Sequence, residues 1–376
     1  MFFNKPTLSF QYVPILSLSP SEMTALGELP NKDKDLILPL VPLKGWVGSK
    51  ELSKSIDRIE KSIGERAWIA DIDSEFLGSA REFKLTGKYP RNVYYDIEKL
   101  LDSSSGYKNW FEFFCKTPLA IPVVQLGDLE QLPLQLKKLN SLGRGLVLRL
   151  LMNEVGSYEF DVILSAVKDS VLNDLYIIFD YGDVSRESLK YIRQYSLLLR
   201  KFSVVMPDLL YSVSSTSFPY GFPGASRGEL PIYERQIYGK VQADNLGLRM
   251  VYSDRGSTRA RRMTGGAGTP PPRIDYPLKN DWRFVRREFN DSSNIAEGER
   301  AKIYQEIAHN IILSDYWIKG LYLWGTQMIE LTSKGDDYGI SAANKATAVR
   351  INIHLYKQLH YNSEIEGLST DEDWED

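Results

Sequence analysis

Between Tyr12 and Asp254 the chain repeats one phrase: a short run of Val, Ile and Leu, then a segment with apolar residues at helical spacing. The runs are "YVPILSL", "DLILPLVPL", "AWIADID", "LAIPVVQLGD", "GLVLRLL", "LYIIFDYGD", "FSVVMPDLL" and "LGLRMVYSD". Continuous apolar runs of this length read as strands buried on both faces. The intervening "SKELSKSIDRIEKSIGE" puts Leu52, Ile56, Ile59 and Ile63 on one helical face, with Lys and Glu elsewhere. "DLEQLPLQLKKLNSLG", "YEFDVILSAVKDSVLND" and "SRESLKYIRQYSLLLRK" read the same way. Strand and helix alternating eight times over roughly 250 residues predicts an α/β fold, a closed eight-stranded β/α (TIM-like) barrel. An open doubly wound sheet is the competing architecture, but no strand is followed by a glycine-rich dinucleotide turn. Two longer gaps, "REFKLTGKYPRNVYYDIEKLLDSSSGYKNWFEFF" and "SSTSFPYGFPGASRGELPIYERQIYGK", need extra loops or helices.

The barrel is expected over 1–255. A flexible basic loop follows over 256–275, then a mainly helical C-terminal layer over 276–362 that packs on the barrel, and a disordered acidic tail over 363–376. In that layer "DWRFVRREF" reads as a strand, and "EGERAKIYQEIAHNIILS" and "SAANKATAVRINIHLYKQLHY" read as helices. "GLYLWGTQMIELT" fits either type.

Formal net charge is -3, which argues against a general nucleic-acid coat, so any anion site must be local. The single cysteine, Cys115, excludes an internal disulfide and fits a reducing cytoplasm; within "WFEFFCK" it is expected to be buried. The N-terminus lacks the basic start and apolar run of a signal peptide, and no run of about 18 apolar residues predicts a membrane span.

In a β/α barrel, chemistry collects at the C-terminal ends of the strands. Those ends carry Asp71 and Asp73, Gln125 and Asp128, Arg149, Asp180 and Asp183, Asp208, and Asp254. Asp71, Asp73, Asp180, Asp183 and Asp208 are the catalytic candidates, as general acid/base groups or ligands of a divalent metal. Their ordinary alternative is capping of the following helices. Asp71 and Asp73 lie two apart on a strand and share a face. Arg149, Asp254 and the loop residues Arg255, Arg259, Arg261 and Arg262 are the binding candidates, suited to a phosphate-bearing ligand. The histidines, His309, His354 and His360, form no zinc-ligand pattern. There is no G-x-S-x-G elbow and no phosphate-binding P-loop.

The segments "YVPILSLSPSEMTALGEL", "ILPLVPL", "SSTSFP", "YERQIY", "DWRFVRRE", "GLYLWGTQMIE" and "INIHLYKQL" come in an order that resembles the beta family of phage and prophage proteins. Glu234 and Arg235, within "YERQIY", join the binding candidates. The resemblance implies a histidine pair where this chain has Asn352 and His354, and an aspartate where it has Thr326. It also implies a role in phage immunity, beside a host-killing protein, in operons linked to antiphage defence. With that resemblance, the expectation is a cytoplasmic protein that binds and restrains a toxin-like partner protein encoded nearby. Its 22 tyrosines suit such an interface. The alternative is a metal-assisted hydrolase acting on a nucleotide or nucleic acid.

Overall fold

Prolines break the donor row of several short strands. The computed structural model describes residues 2–364 apart from 6, 171, 173, 223–225 and 261–268. Its strands are β1 (Tyr12–Pro14), β2 (Leu40–Leu43), β3 (Trp68–Ile72), β4 (Ala120–Pro122), β5 (Leu146–Leu151), β6 (Leu175–Asp183), β7 (Leu210–Thr216), β8 (Arg227–Pro231), β9 (Arg249–Met250), β10 (Tyr252–Asp254), β11 (Arg273–Pro277) and β12 (Asp281–Arg286). They form three parallel sheets, β2-β3-β4, β5-β6-β7-β9 and β1-β10, and one antiparallel sheet, β11-β12-β8.

The expected closed eight-stranded barrel is therefore corrected: the fold is mixed α/β, and its largest sheet has four parallel strands. Between the parallel sheets, isolated bridges join Ile15 to Leu40 and Val123 to Val147. Pro14, Pro42 and Pro122 sit in the short strands β1, β2 and β4. Each removes a ladder donor, so pairing there stays short.

Alternate strand residues separate to two sides. In β5, Leu146, Leu148 and Leu150 join a large apolar cluster with helix residues such as Ile59, Leu136 and Phe160. Val147 instead joins a second cluster with Val13, Ile69, Ile121, Tyr176, Ile178 and Leu210, contributed by all three parallel sheets. Arg149 follows Val147 by two, Asp71 follows Ile69, and Asp180 follows Ile178. The second side is thus apolar near the strand starts and charged at their ends. Each fully buried Val, Leu or Ile contributes about 1.5–3 kcal/mol, which pins the register. A slip of one residue would put Arg149 under the helices.

The C-terminal layer is not helical alone. Helices Glu299–Ile312, Trp324–Ser333 and Ala343–Leu359 pack with the antiparallel sheet around Ile274, Tyr276, Ile307, Ile329, Val349 and Ile353. β8 precedes residue 255 in sequence yet pairs with β12, so hydrogen bonds cross that point of the chain. Its residues are mostly exposed and show no apolar alternation, which is why the sequence hides it. β11 begins at Arg273, inside the segment expected to be a loop. The helix Ala343–Leu359 is buried along most of its length between the helix Pro20–Gly27, β11 and the helix Trp324–Ser333. Among the described residues, no helix is long and apolar enough to cross a membrane.

Cys115 is exposed, against expectation. The buried face of its helix carries Tyr107, Trp110 and Phe114, at helical spacing, and Cys115 falls one residue off that face.

Candidate functional site

A cavity of about 860 Å³ opens at the C-terminal ends of the parallel strands. Its floor is an ion-pair network. Arg149 Nη1 lies 2.8 Å from Asp71 Oδ2, and Arg149 Nη2 lies 2.6 Å from Asp180 Oδ2. Arg255 Nη2 reaches the same Asp180 oxygen at 2.7 Å. The Gly182 N–H donates to the other Asp180 oxygen at 3.0 Å. Burial works to raise the Asp180 carboxyl, but Arg255, Arg149 and these hydrogen bonds prevail and hold it at about 2. A depressed carboxyl contributes stability above its unfolded value near 3.8, and the contribution, roughly 2 kcal/mol, is lost as pH falls toward about 2. Asp71 is completed by the Ile72 N–H at 2.8 Å and Gln125 Nε2 at 3.4 Å.

The remaining strand-end acids are also engaged. Asp73 Oδ2 lies 3.3 Å from Lys44 Nζ, which also bonds Ser17. Asp183 accepts from the Ala260 N–H at 3.0 Å and from the Tyr220 hydroxyl. Glu22, buried at the cavity edge, accepts from Ser17 N and Ser19 Oγ; burial raises its carboxyl despite those bonds and the charges of Lys44 and Arg350. Asp128 caps a short 3-10 turn, donating nothing to the cavity, with Glu130 N–H on its Oδ1 at 3.1 Å. Among the described residues, no group of three or more His, Cys, Asp or Glu is placed to hold a metal ion.

Asp208 is not at the cavity. Residues 202–206 finish a helix and turn, the strand is Leu210–Thr216, and Asp208 precedes it, exposed, with its carbonyl on Arg249 at 3.3 Å. The start of "FSVVMPDLL" closes a helix instead of forming the expected strand, because short apolar runs do not distinguish helix ends from strands.

Asp254, Glu234 and Arg235 form a second, separate cluster behind β10. Asp254 is fully buried and accepts from the hydroxyls of Tyr12 and Tyr252, from His354 Nε2 at 2.8 Å and from the Gly256 N–H at 2.8 Å. Burial opposes its charge, but His354 and these bonds hold the carboxyl below its usual range. Trp282 stacks on His354, with ring centroids 5.9 Å apart. Arg235 lies between the rings of Tyr252 and Tyr361, at 4.1 and 3.6 Å. Asn352 accepts from the Gly325 N–H at 3.0 Å and donates to the Ala25 carbonyl, and Thr326 donates to backbone carbonyls. Asn352 therefore ties the last helix both to the helix Trp324–Ser333 and to the N-terminal helix Pro20–Gly27, while Thr326 bonds locally.

Glu234 bonds Ser217 through its N–H, at 2.9 Å, and its hydroxyl. Burial, and then the charge of Asp254, push its carboxyl up to about 8. A carboxyl raised on folding destabilises as it ionises, so stability is full below about 4.5 and falls as pH rises toward about 8. Glu234→Gln is expected to remove that fall, worth on the order of a few kcal/mol. Urea midpoints of both proteins at acidic and alkaline pH would measure it. Parallel wild-type and variant profiles would refute the assignment.

Sequence reasoning missed Lys44, Glu22 and Arg350, all of which line the cavity, as does Arg273. Lys44 was signalled by its place one residue past β2, and Arg350 by its place inside the apolar "TAVRINIH". Arg261 and Arg262 lie outside the described residues. Arg255 and Arg259 line the cavity.

A family model described as Beta protein matches residues 12–360, which takes in every strand among the described residues and all the arginines that line the cavity. Protein beta of Enterobacteria phage P4 is 25% identical over 380 residues, covering 97% of this chain and 98% of that protein. The agreement runs from β1 to the last helix, so the chain belongs to the Beta protein family.

Proposed function

We propose that this chain is a phage-immunity protein of the antiphage-defence kind, which binds and restrains a toxin-like partner protein encoded nearby. It works by contact rather than by metal-assisted hydrolysis. The observation that carries this reading is how the strand-end aspartates of the cavity are committed. A hydrolase needs carboxylates free to hold a metal or to move a proton at one point. Asp71 and Asp180 are instead held by Arg149, Asp73 by Lys44, and Asp183 by Tyr220 and Ala260.

What faces outward suits an interface. Tyr158 stands beside the cavity-lining Glu159 and is 76% exposed, and Tyr220, bonded to Asp183, is 47% exposed. Tyrosine and arginine carry a large share of binding energy at protein contacts. Membership of the Beta protein family, and likeness to a phage P4 protein, support the phage setting.

Co-expression with the product of the neighbouring gene is expected to give one gel-filtration peak containing both chains at micromolar concentration. Tyr158→Asp is expected to weaken that complex by about tenfold or more. Separate elution of the two wild-type chains at that concentration overturns the reading.

A further inference from the structure

The cavity holds a second cationic cluster that the floor network does not neutralise. Arg273 of β11 and Arg350 of the helix Ala343–Leu359 share one carboxylate, with Arg273 Nε 2.9 Å from Asp275 Oδ1 and Arg350 Nη1 2.9 Å from Asp275 Oδ2. Arg259 stands near them and donates to the backbone carbonyls of Pro219 and Tyr220 rather than to a carboxylate. Burial, and with it the charge of Arg273, pushes both Arg259 and Arg350 below the usual arginine range, although Asp275 pulls Arg350 the other way. Like charges gathered in a desolvated wall favour an anion.

Aromatic faces fix the three guanidinium groups. Arg350 lies 3.9 Å from the Phe218 ring centroid, Arg273 lies 3.7 Å from Phe222, and Arg259 lies 4.9 Å from Tyr220. The turn after β10 adds a further support. Ser257, a buried non-glycine residue at φ 61°, turns its hydroxyl to Arg350 Nε at 3.3 Å. A side chain held in left-handed backbone is a strain that surrounding structure must sustain, and such strain concentrates at ligand clamps.

The loops after β4 and β5 give the cavity a different character. They present apolar Leu126, Leu129 and Val155 beside the hydrogen-bonding Gln125, Asn153 and Glu154. A matching ligand is anionic at one end and has a flat apolar body edged with donors at the other. A nucleoside phosphate has that form, and a cavity of about 860 Å³ has room for one.

We propose that the cavity binds a nucleoside phosphate, with the phosphate on Arg259, Arg273 and Arg350 and the base and sugar against the loops after β4 and β5. This goes beyond partner binding and does not rest on it, because the isolated chain suffices for the test.

Calorimetric titration of the isolated full chain with AMP, GMP, CMP, UMP and ATP is expected to show binding of at least one, with Kd well below about 1 mM. The matching nucleoside and inorganic phosphate, each offering one half of the ligand, are expected to bind about tenfold or more weakly than that nucleotide. Arg259→Gln breaks no salt bridge among the described residues and is expected to weaken binding about tenfold or more, with far-UV circular dichroism like that of the wild type. Arg350→Lys, which keeps the charge but loses the planar fork, is expected to weaken it as well. Failure of all five nucleotides to bind, or an Arg259→Gln chain that binds as tightly as wild type, overturns the proposal. So does binding of a short oligonucleotide when every mononucleotide fails.

Discussion

Asp254→Ala is expected to lower folding stability by about 3–5 kcal/mol, the usual cost of removing one partner from a buried charged pair. Asp254 is where four donors from different parts of the chain meet: Tyr12 of β1, Tyr252 of β10, His354 of the last helix, and the Gly256 N–H. Removing the carboxylate leaves all four in a site closed to water, and an unmet buried donor costs about 1–3 kcal/mol. Asp254→Asn keeps the shape and an acceptor while discarding the charge, so its loss should be smaller. Urea unfolding followed by tryptophan fluorescence would compare the three proteins. A loss under about 1 kcal/mol for the alanine variant would mean that this network does not tie the C-terminal layer to the parallel sheets.

Asp180→Ala should have an effect of similar size, about 3–5 kcal/mol, for a related reason. One buried carboxylate serves both Arg149 and Arg255. Without it Arg149 retains only Asp71, and Arg255 loses its ion pair in the floor. Adding Arg149→Met to that variant is expected to recover part of the loss, since an uncompensated buried charge costs more than an apolar replacement of the pair. If the second substitution instead adds its full cost, the two residues act independently and the proposed floor network is wrong. The acid limb of the wild-type stability profile, between about pH 4 and pH 2, should become shallower in the Asp180 variant by that carboxyl's share, while the share of Asp254 remains.

The two variants separate folding from binding. Asp254 lies behind the cavity, and its loss should lower stability without removing a cavity-lining group. Asp180 positions Arg255, which does line the cavity, so its loss should affect both properties.

Much of the local structure was legible in the sequence. The apolar face of Leu52, Ile56, Ile59 and Ile63 packs as the spacing requires, and the long C-terminal segments "EGERAKIYQEIAHNIILS" and "SAANKATAVRINIHLYKQLHY" are helices. Part of the site was legible too. A residue two positions beyond a buried one on the same strand faces the same side, which puts Asp71, Arg149 and Asp180 each on the side of its strand where they meet. Less visible were the contributions from outside the repeat. Arg350 sits on a helix buried along most of its length, so no polar stripe marks its direction. Its partner, Asp275, is 75 residues away in sequence.

The sequence by itself determined which segments are strands or helices across most of the chain, and the side each strand residue faces, because both follow from local periodicity and burial. Only the tertiary structure decided how the strands divide into sheets, where prolines deny the ladder its donors, and which arginines reach the cavity. Those outcomes depend on pairings between segments far apart in the chain, and local pattern carries no record of such distances.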